Sequence, residues 1–211
     1  MQDRRRNSCT GGIDGAYCRL CDFGSAYKRN SRRIGGAMYC KKQLYKFGLK
    51  VFGFEFVKGK GRNCLEKIEV NEKRRYPLND EINLLIYTSQ GTLSVATAPG
   101  FVFDGRSGPK IVDWYAPNLG TLFERVCWFV HDCNGYGQDL CFEDTNVLLF
   151  AMLRDIAGYR TSKANVIQLA VSLSKSWYGE PKEGDWCHAN IDKVKTLWLP
   201  KTEDDCACID P

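Results

Sequence analysis

The chain changes its hydrophobic period midway. Glu81-Ile-Asn-Leu-Leu-Ile-Tyr-Thr-Ser89 is rich in strand formers, Gln90-Gly91 supplies a turn, and Thr92-Leu-Ser-Val-Ala-Thr97 alternates apolar and polar positions, which together predict a β-hairpin. Upstream, Phe52, Phe54 and Phe56 alternate with Gly53 and Glu55, the period of a half-buried strand. Beyond residue 118 the spacing becomes helical. Leu119, Leu122, Phe123, Val126, Phe129 and Val130 predict a helix from Asn118 to about His131. Leu148, Leu149, Met152 and Ile156 predict a second over Phe142–Asp155, stopped by Gly158. A third starts at Thr161 or Ser162, either of which can cap it, and runs through Val166, Leu169, Leu173 and Trp177 to Gly179. These elements predict an α+β fold: a β-hairpin or small antiparallel sheet packed on three C-terminal helices. Between hairpin and helices, Ala98-Pro-Gly-Phe-Val-Phe-Asp-Gly-Arg-Ser-Gly-Pro109 has the Gly, Pro, Asp and Ser density of a loop, and loops on rigid scaffolds commonly carry function.

Composition fits a globular chain: 211 residues, 44% apolar and 26% charged, enough to bury a core. No apolar run approaches the ~18 residues of a membrane span, and Met-Gln-Asp-Arg-Arg-Arg is followed by no apolar stretch, so no secretory signal is expected. Charge divides the chain. Residues 1–64 hold 15 Lys and Arg against 4 Asp and Glu, a net of +11, whereas the remainder holds 15 against 21, a net of −6. We therefore divide the chain into a basic, Cys-rich N-terminal extension (1–64), an α+β core (65–180) and a C-terminal tail (181–211). The basic extension suits an acidic partner or a polyanion. Its interleaved aromatics, from Tyr17 and Phe23 to Phe54 and Phe56, would suit single-stranded nucleic acid, although the alternation around Phe54 equally suits rings facing a core.

Eleven cysteines, an odd number, leave at least one unpaired within the chain. Without a secretory signal, zinc sites and plain thiols are favoured over a disulfide framework. Cys18-Arg-Leu-Cys21 has the spacing that brings two thiolates to one tetrahedral zinc, and Cys40 with Cys9 or Cys64 could complete a structural site. Trp186-Cys187-His188 and Cys206-Ala-Cys208 could be halves of another site, but Cys-x-Cys is a poor zinc spacing and thiols in a tail docked by Trp198 are the better reading.

The candidate chemistry lies where the first two helices meet. His131 and Asp132 end the first, and Asp144 opens the second. If the short Cys133–Cys141 connection folds back, Asp144 can approach the imidazole, fix its tautomer and leave the other nitrogen to take a proton from water. Asp132 and Asp104 could offer hard oxygen ligands to a divalent cation. The plainer alternative is a helix-end His with Asp residues serving the helix termini.

Several runs then form a recognisable order: Ala98-Pro-Gly-Phe-Val-Phe-Asp104-Gly-Arg-Ser107-Gly-Pro109, Val130-His131-Asp132, Glu143-Asp144, and Val166 to Gly179. Over about residues 82–180 this resembles the phage and prophage domain-of-unknown-function family 1353, whose pattern is a Gly-Phe-x-x-Asp-Gly-x-Ser-x-Pro loop, a His-Asp-x-x-Tyr helix end and an Ala-Asp-x-x-Phe helix. The chain departs from it where Asp132 is followed by Cys133-Asn-Gly-Tyr136, and where Glu143 replaces the Ala. The resemblance marks Asp104, Ser107, His131, Asp132 and Asp144, and implies a viral setting. The His131-Asp132 pair, with Asp144 and with Cys127 four residues earlier, also resembles the helical His-Asp pair of phospholipase A2, without that enzyme's glycine-rich calcium loop. Two functions follow as expectations. One is a virion-associated tail, connector or minor capsid protein, made in the host cytoplasm, that binds other virion proteins and, through residues 1–64, an acidic partner or the genome. The other is a metal-dependent hydrolase with His131 as base, Asp144 orienting it, Ser107 in the site, and Asp132 and Asp104 on the cation.

If Cys18, Cys21 and Cys40 share a structural zinc, elemental analysis of the purified chain finds stoichiometric zinc that Cys18→Ser with Cys21→Ser removes; a metal-free chain returns these residues to plain thiols.

Overall fold

The computed structural model describes residues 43–59, 61–68, 76–103, 105, 119–137, 139–173, 190 and 192–201. Within them a four-stranded antiparallel sheet has the order β1 (Val51–Phe56), β3 (Ile82–Thr88), β4 (Gly91–Thr97) and β6 (Val194–Pro200). A second, two-stranded pair joins β2 (Tyr76–Pro77) to β5 (Val102–Phe103). A 3-10 turn (Val57–Gly59) and a short helix α1 (Arg62–Glu66) follow β1, and three longer helices complete the chain: α2 (Leu122–Gly137), α3 (Phe142–Asp155) and α4 (Thr161–Leu173). The α+β architecture expected from the periodicity is the one observed.

The sheet follows the two-residue alternation. Leu84 and Ile86 of β3 lie opposite Val95 and Leu93 of β4, which lie opposite Thr196 and Trp198 of β6, and all six are buried on the helix-facing side. Asn83, Tyr87, Thr92, Ser94 and Lys195 fall on the other face, where the Tyr87 hydroxyl donates to Glu55 at 2.9 Å. The hairpin turn is held by Thr88, whose Oγ1 accepts from the backbone N–H groups of Gln90 and Gly91 at 3.1 and 3.0 Å. In β1 a bulge between Val51 and Gly53 leaves Phe52 exposed, while Phe54 and Phe56 turn towards the core.

Helices α2 and α3 cover the inner face, α2 against β4, β5 and β6 and α3 against β1, while α4 packs on α3. Thr121 and Glu124 form a reciprocal cap for α2: Thr121 Oγ1 accepts from the Glu124 N–H at 3.2 Å and Glu124 Oε2 accepts from the Thr121 N–H at 3.1 Å. Phe101 and Phe103 from the loop after β4 are fully buried and meet Phe129 of α2 edge-on at 6.1 and 6.0 Å. Each such side chain contributes roughly 1.5–3 kcal/mol by leaving water. The loop is therefore anchored by its own apolar residues. Asn190 adds to the anchoring by pairing with β5 as a strand would, its Oδ1 accepting from the Val102 N–H at 2.9 Å and its Nδ2 donating to the Val102 carbonyl at 2.5 Å.

Most distinctive is α3. Ten consecutive residues, Asp144 to Leu153, are buried, so this helix has no solvent face along most of its length. One of its sides is covered by the segment entering β1. Leu44 and Leu49 are buried there, and the Arg154 guanidinium donates to the Leu49 carbonyl at 2.6 Å.

Two features lie beyond what the sequence pattern predicted. First, β1 and β6 come from the stretches assigned to the N-terminal extension and the tail, so the boundaries at 64/65 and 180/181 do not bound the sheet. Both are strands completed by long-range pairing, which a local pattern does not report. Second, α2 continues past His131 to Gly137. The predicted third helix begins at Thr161 and is described as far as Leu173; Trp177 and Gly179 lie outside the described residues.

Gly137, at the end of α2, fits only because it lacks a side chain. A Cβ there would stand 2.9 Å from the Cβ of Thr196 and still closer to its hydroxyl. Gly137→Ala is expected to force α2 away from β6 and to lower stability by about 1–3 kcal/mol, read as a lower denaturation midpoint in urea with an unchanged slope.

Candidate functional site

The end of α2 and the start of α3 are linked by a short connection that includes Asp139–Cys141, and the helices run back antiparallel from it. His131 projects from α2 towards α3, where its Nε2 lies 3.1 Å from Oδ1 of Asn146. Its Nδ1 lies 3.6 Å from Oδ1 of Asp132, and the Trp128 indole stands edge-on to the ring at 6.1 Å. These groups are sealed: His131 is 2% exposed and Asp132 and Asn146 1% each. Burial on this scale demands hydrogen-bond partners, since an unsatisfied amide or imidazole costs about 1–3 kcal/mol.

Asp144, expected to orient the imidazole, is used elsewhere. Its Oδ2 accepts from the backbone N–H of Gln43 at 2.5 Å, and its Oδ1 has no hydrogen-bond partner among the described residues. The reason is rotational. Residues 144 and 146 are about 200° apart around a helix, so when Asn146 faces α2, Asp144 faces the segment that enters β1. Asn146 thus meets His131, and no sequence motif marked it. The one signal was its place in the row Asn146, Leu149, Phe150 and Leu153, which recurs at helical spacing.

Asp144 is one of three carboxylates around α3 with the same task. Asp139, in the turn before α3, accepts from the backbone N–H of Trp198 in β6. Asp155, at the C-terminal end, accepts from the Val51 N–H at 2.8 Å while Arg154 donates to it at 2.6 and 2.7 Å. Together they join the helix pair to both outer strands of the sheet. Burial pushes the Asp155 carboxyl up, but the Arg154 hydrogen bonds, the Val51 N–H and the charges of Arg154 and Lys50 outweigh it and hold the group below its ordinary value.

The thiols of α2 are not poised for chemistry. Burial, with the Glu124 charge, pushes Cys127 far up, and burial with the Asp132 charge does the same to Cys133, so both remain protonated and inert. Among the described residues no group of three or more His, Cys, Asp or Glu side chains is arranged to hold a metal ion. Asp104, Ser107, Cys18, Cys21 and Cys40 lie outside the described residues. Of the residues singled out from sequence, the structure places the His131 ring 3.6 Å from the Asp132 carboxylate, and Asp144 in a separate backbone contact.

Because the folded Asp155 has a lowered pKa, its contribution is fully present above the unfolded value of about 3.9 and is lost as pH falls through the folded value. Asp155→Asn should cost about 1–2 kcal/mol at neutral pH, with the difference from the parent chain shrinking below about pH 4. Thermal melts across that range read it, and a pH-independent difference would point to packing instead.

Comparison with family models, with curated proteins and with solved structures gives no match to this chain, so the reading of the site stands on its own geometry.

Proposed function

We propose that this chain is a structural or adaptor component of a bacteriophage particle, in which the His-Asp cluster braces the helix pair and the basic N-terminal segment engages an acidic partner or the genome. The observation that carries the bracing role is the sealed pairing of His131 with Asn146, together with the commitment of Asp144 to the Gln43 backbone. A general base must come within about 2.6–3.2 Å of the proton it removes, directly or through one water. An imidazole 2% exposed, with Asn146 rather than a carboxylate on Nε2, suits support better than turnover. The resemblance of residues 82–180 to a phage family supports the viral setting. The net +11 of residues 1–64 supports a partner of opposite charge, with Cys18, Cys21 and Cys40 as candidate ligands of a structural zinc. No helix among the described residues is long and apolar enough to cross a membrane.

Two measurements test this reading. Purified particles should contain the chain at a fixed ratio to the major capsid protein, and particles grown without it should be defective in assembly or attachment; a chain absent from particles removes the proposal. Under the bracing role, His131→Ala lowers stability by about 1–3 kcal/mol and Asn146→Ala, which breaks the same contact, adds little more in the double variant. Hydrolysis of an ester or phosphodiester by the parent chain, abolished by His131→Gln without loss of stability, would instead restore the hydrolase.

A further inference from the structure

Phe47 is the most exposed large apolar side chain among the described residues, at 95%, and Tyr45 beside it is 66% exposed. Such exposure is ordinary on a frayed loop, but this turn is fixed on every side. Leu44 and Leu49 are buried on either side of it. Gln90 holds Tyr45 by both backbone groups, accepting from its N–H at 2.9 Å and donating to its carbonyl at 2.7 Å. Gly48 takes the left-handed φ of 81° that closes the turn, and its carbonyl accepts from the Ser89 hydroxyl at 2.9 Å. Lys46 reaches across to α4, donating to Asn165 Oδ1 and Gln168 Oε1 at 2.6 Å each, with its ammonium 4.6 Å from the centre of the Phe150 ring.

That bridge sets the turn beside the middle of α4. Leu169 follows Gln168 directly and is 52% exposed; Leu173, one turn further on the same face, is 75% exposed. Two aromatic and two aliphatic side chains thus stand in water on elements held together by one lysine. Charge identifies what would cover them. Residues 43–54 and 156–173, bounded by Glu55 and Asp155, contain no Asp or Glu, while Lys46, Lys50, Arg160 and Lys163 all belong to them; of these Lys50 already acts on Asp155. Among the described residues Lys46 is met by two neutral amides and the Phe150 ring and by no carboxylate. A second copy of the same surface would bring like charges together, and although Tyr45 and Phe47 offer rings, Leu169 and Leu173 give a nucleic-acid base nothing to stack upon and suit apolar anchors instead.

We propose that the 45–48 turn and the outer face of α4 form a preorganised docking surface for an acidic segment of a partner protein that carries apolar anchors. Phe47, Leu169 and Leu173 receive the anchors, and Lys46 and Arg160 meet the carboxylates around them. Because the turn is already ordered, little conformational freedom is lost on binding. The proposal rests on the adaptor reading, for which it supplies the partner's chemistry.

The test uses the full chain and a ribosome-displayed library of random peptides, with selected peptides synthesised and measured by fluorescence anisotropy. Selection should enrich Leu, Phe or Trp among Asp and Glu. The selected peptides should bind about tenfold or more weakly to Phe47→Ser and to Leu169→Ser, and should weaken with added salt. Both side chains are exposed, so the variants should melt as the parent does; if either does not, Leu173→Ser replaces it in the comparison. Absence of enrichment, a basic or uncharged consensus, equal binding to the variants, or Phe47-dependent binding of a single-stranded oligothymidylate each overturns the proposal. Loss of the chain from purified particles would remove the adaptor reading while leaving a positive peptide selection standing, so the two failures are separable.

Discussion

A helix without a solvent face must be covered on all sides, and α3 is such a helix. From Asp144 to Leu153 every residue is buried, so α2, α4, the sheet and the segment entering β1 are all required to enclose it. Apolar area supplies most of the free energy of that enclosure, but area alone does not fix how far each neighbour slides along the helix. Directional contacts do that. Arg154 grips the Leu49 carbonyl, Lys46 ties the same segment to α4, and His131 meets Asn146 across the α2 contact.

Polar residues at the ends of the helix pair complete this logic. Asp144 and Asp155 stand eleven positions apart on α3 and bind Gln43 and Val51, eight positions apart in the entering segment. A helix advances about 1.5 Å per residue and an extended chain more than twice that, so the segment can run alongside α3 with one of its tight turns to spare. That turn carries Phe47. The exposed ring and the two carboxylate contacts are thus two results of a single fit in length.

Much of the fold was legible in local pattern because it is built from local periodicity. The hairpin from Ile82 to Thr97 and the helices over α2, α3 and α4 follow apolar spacings that need no distant partner to be recognised. β6 is different. Val194-Lys-Thr-Leu-Trp-Leu-Pro200 lies after a long connection and acquires its place only by pairing with β4, and the Phe52–Phe56 alternation announced a strand without announcing that it belongs to the same sheet. In the candidate site, the proximity of His131 to the start of α3 was legible from the short turn. The identity of its partner was not, because a motif read along the chain favours Asp144 for its chemistry, whereas rotation about the helix axis gives the contact to Asn146. The roles of Asp139 and Asp155 were equally hidden, since nothing adjacent in sequence marks a carboxylate whose acceptor role is filled by a backbone N–H far along the chain.

The two outer strands share one further property. In β6 the Lys201 N–H points to Gln90 on the β4 side, so alternate residues, Trp198 and Pro200 among them, direct their nitrogens outwards; Trp198 is taken by Asp139 and Pro200 has no N–H to offer. On the opposite edge, Lys50 faces Ser89 and Val51 faces outwards to Asp155. Each open margin of the sheet therefore carries a carboxylate plug at a position where another extended chain would seek its first backbone hydrogen bond. Open margins are the usual templates for runaway strand stacking. Closing them confines association to side-chain surfaces, which can be specific and finite.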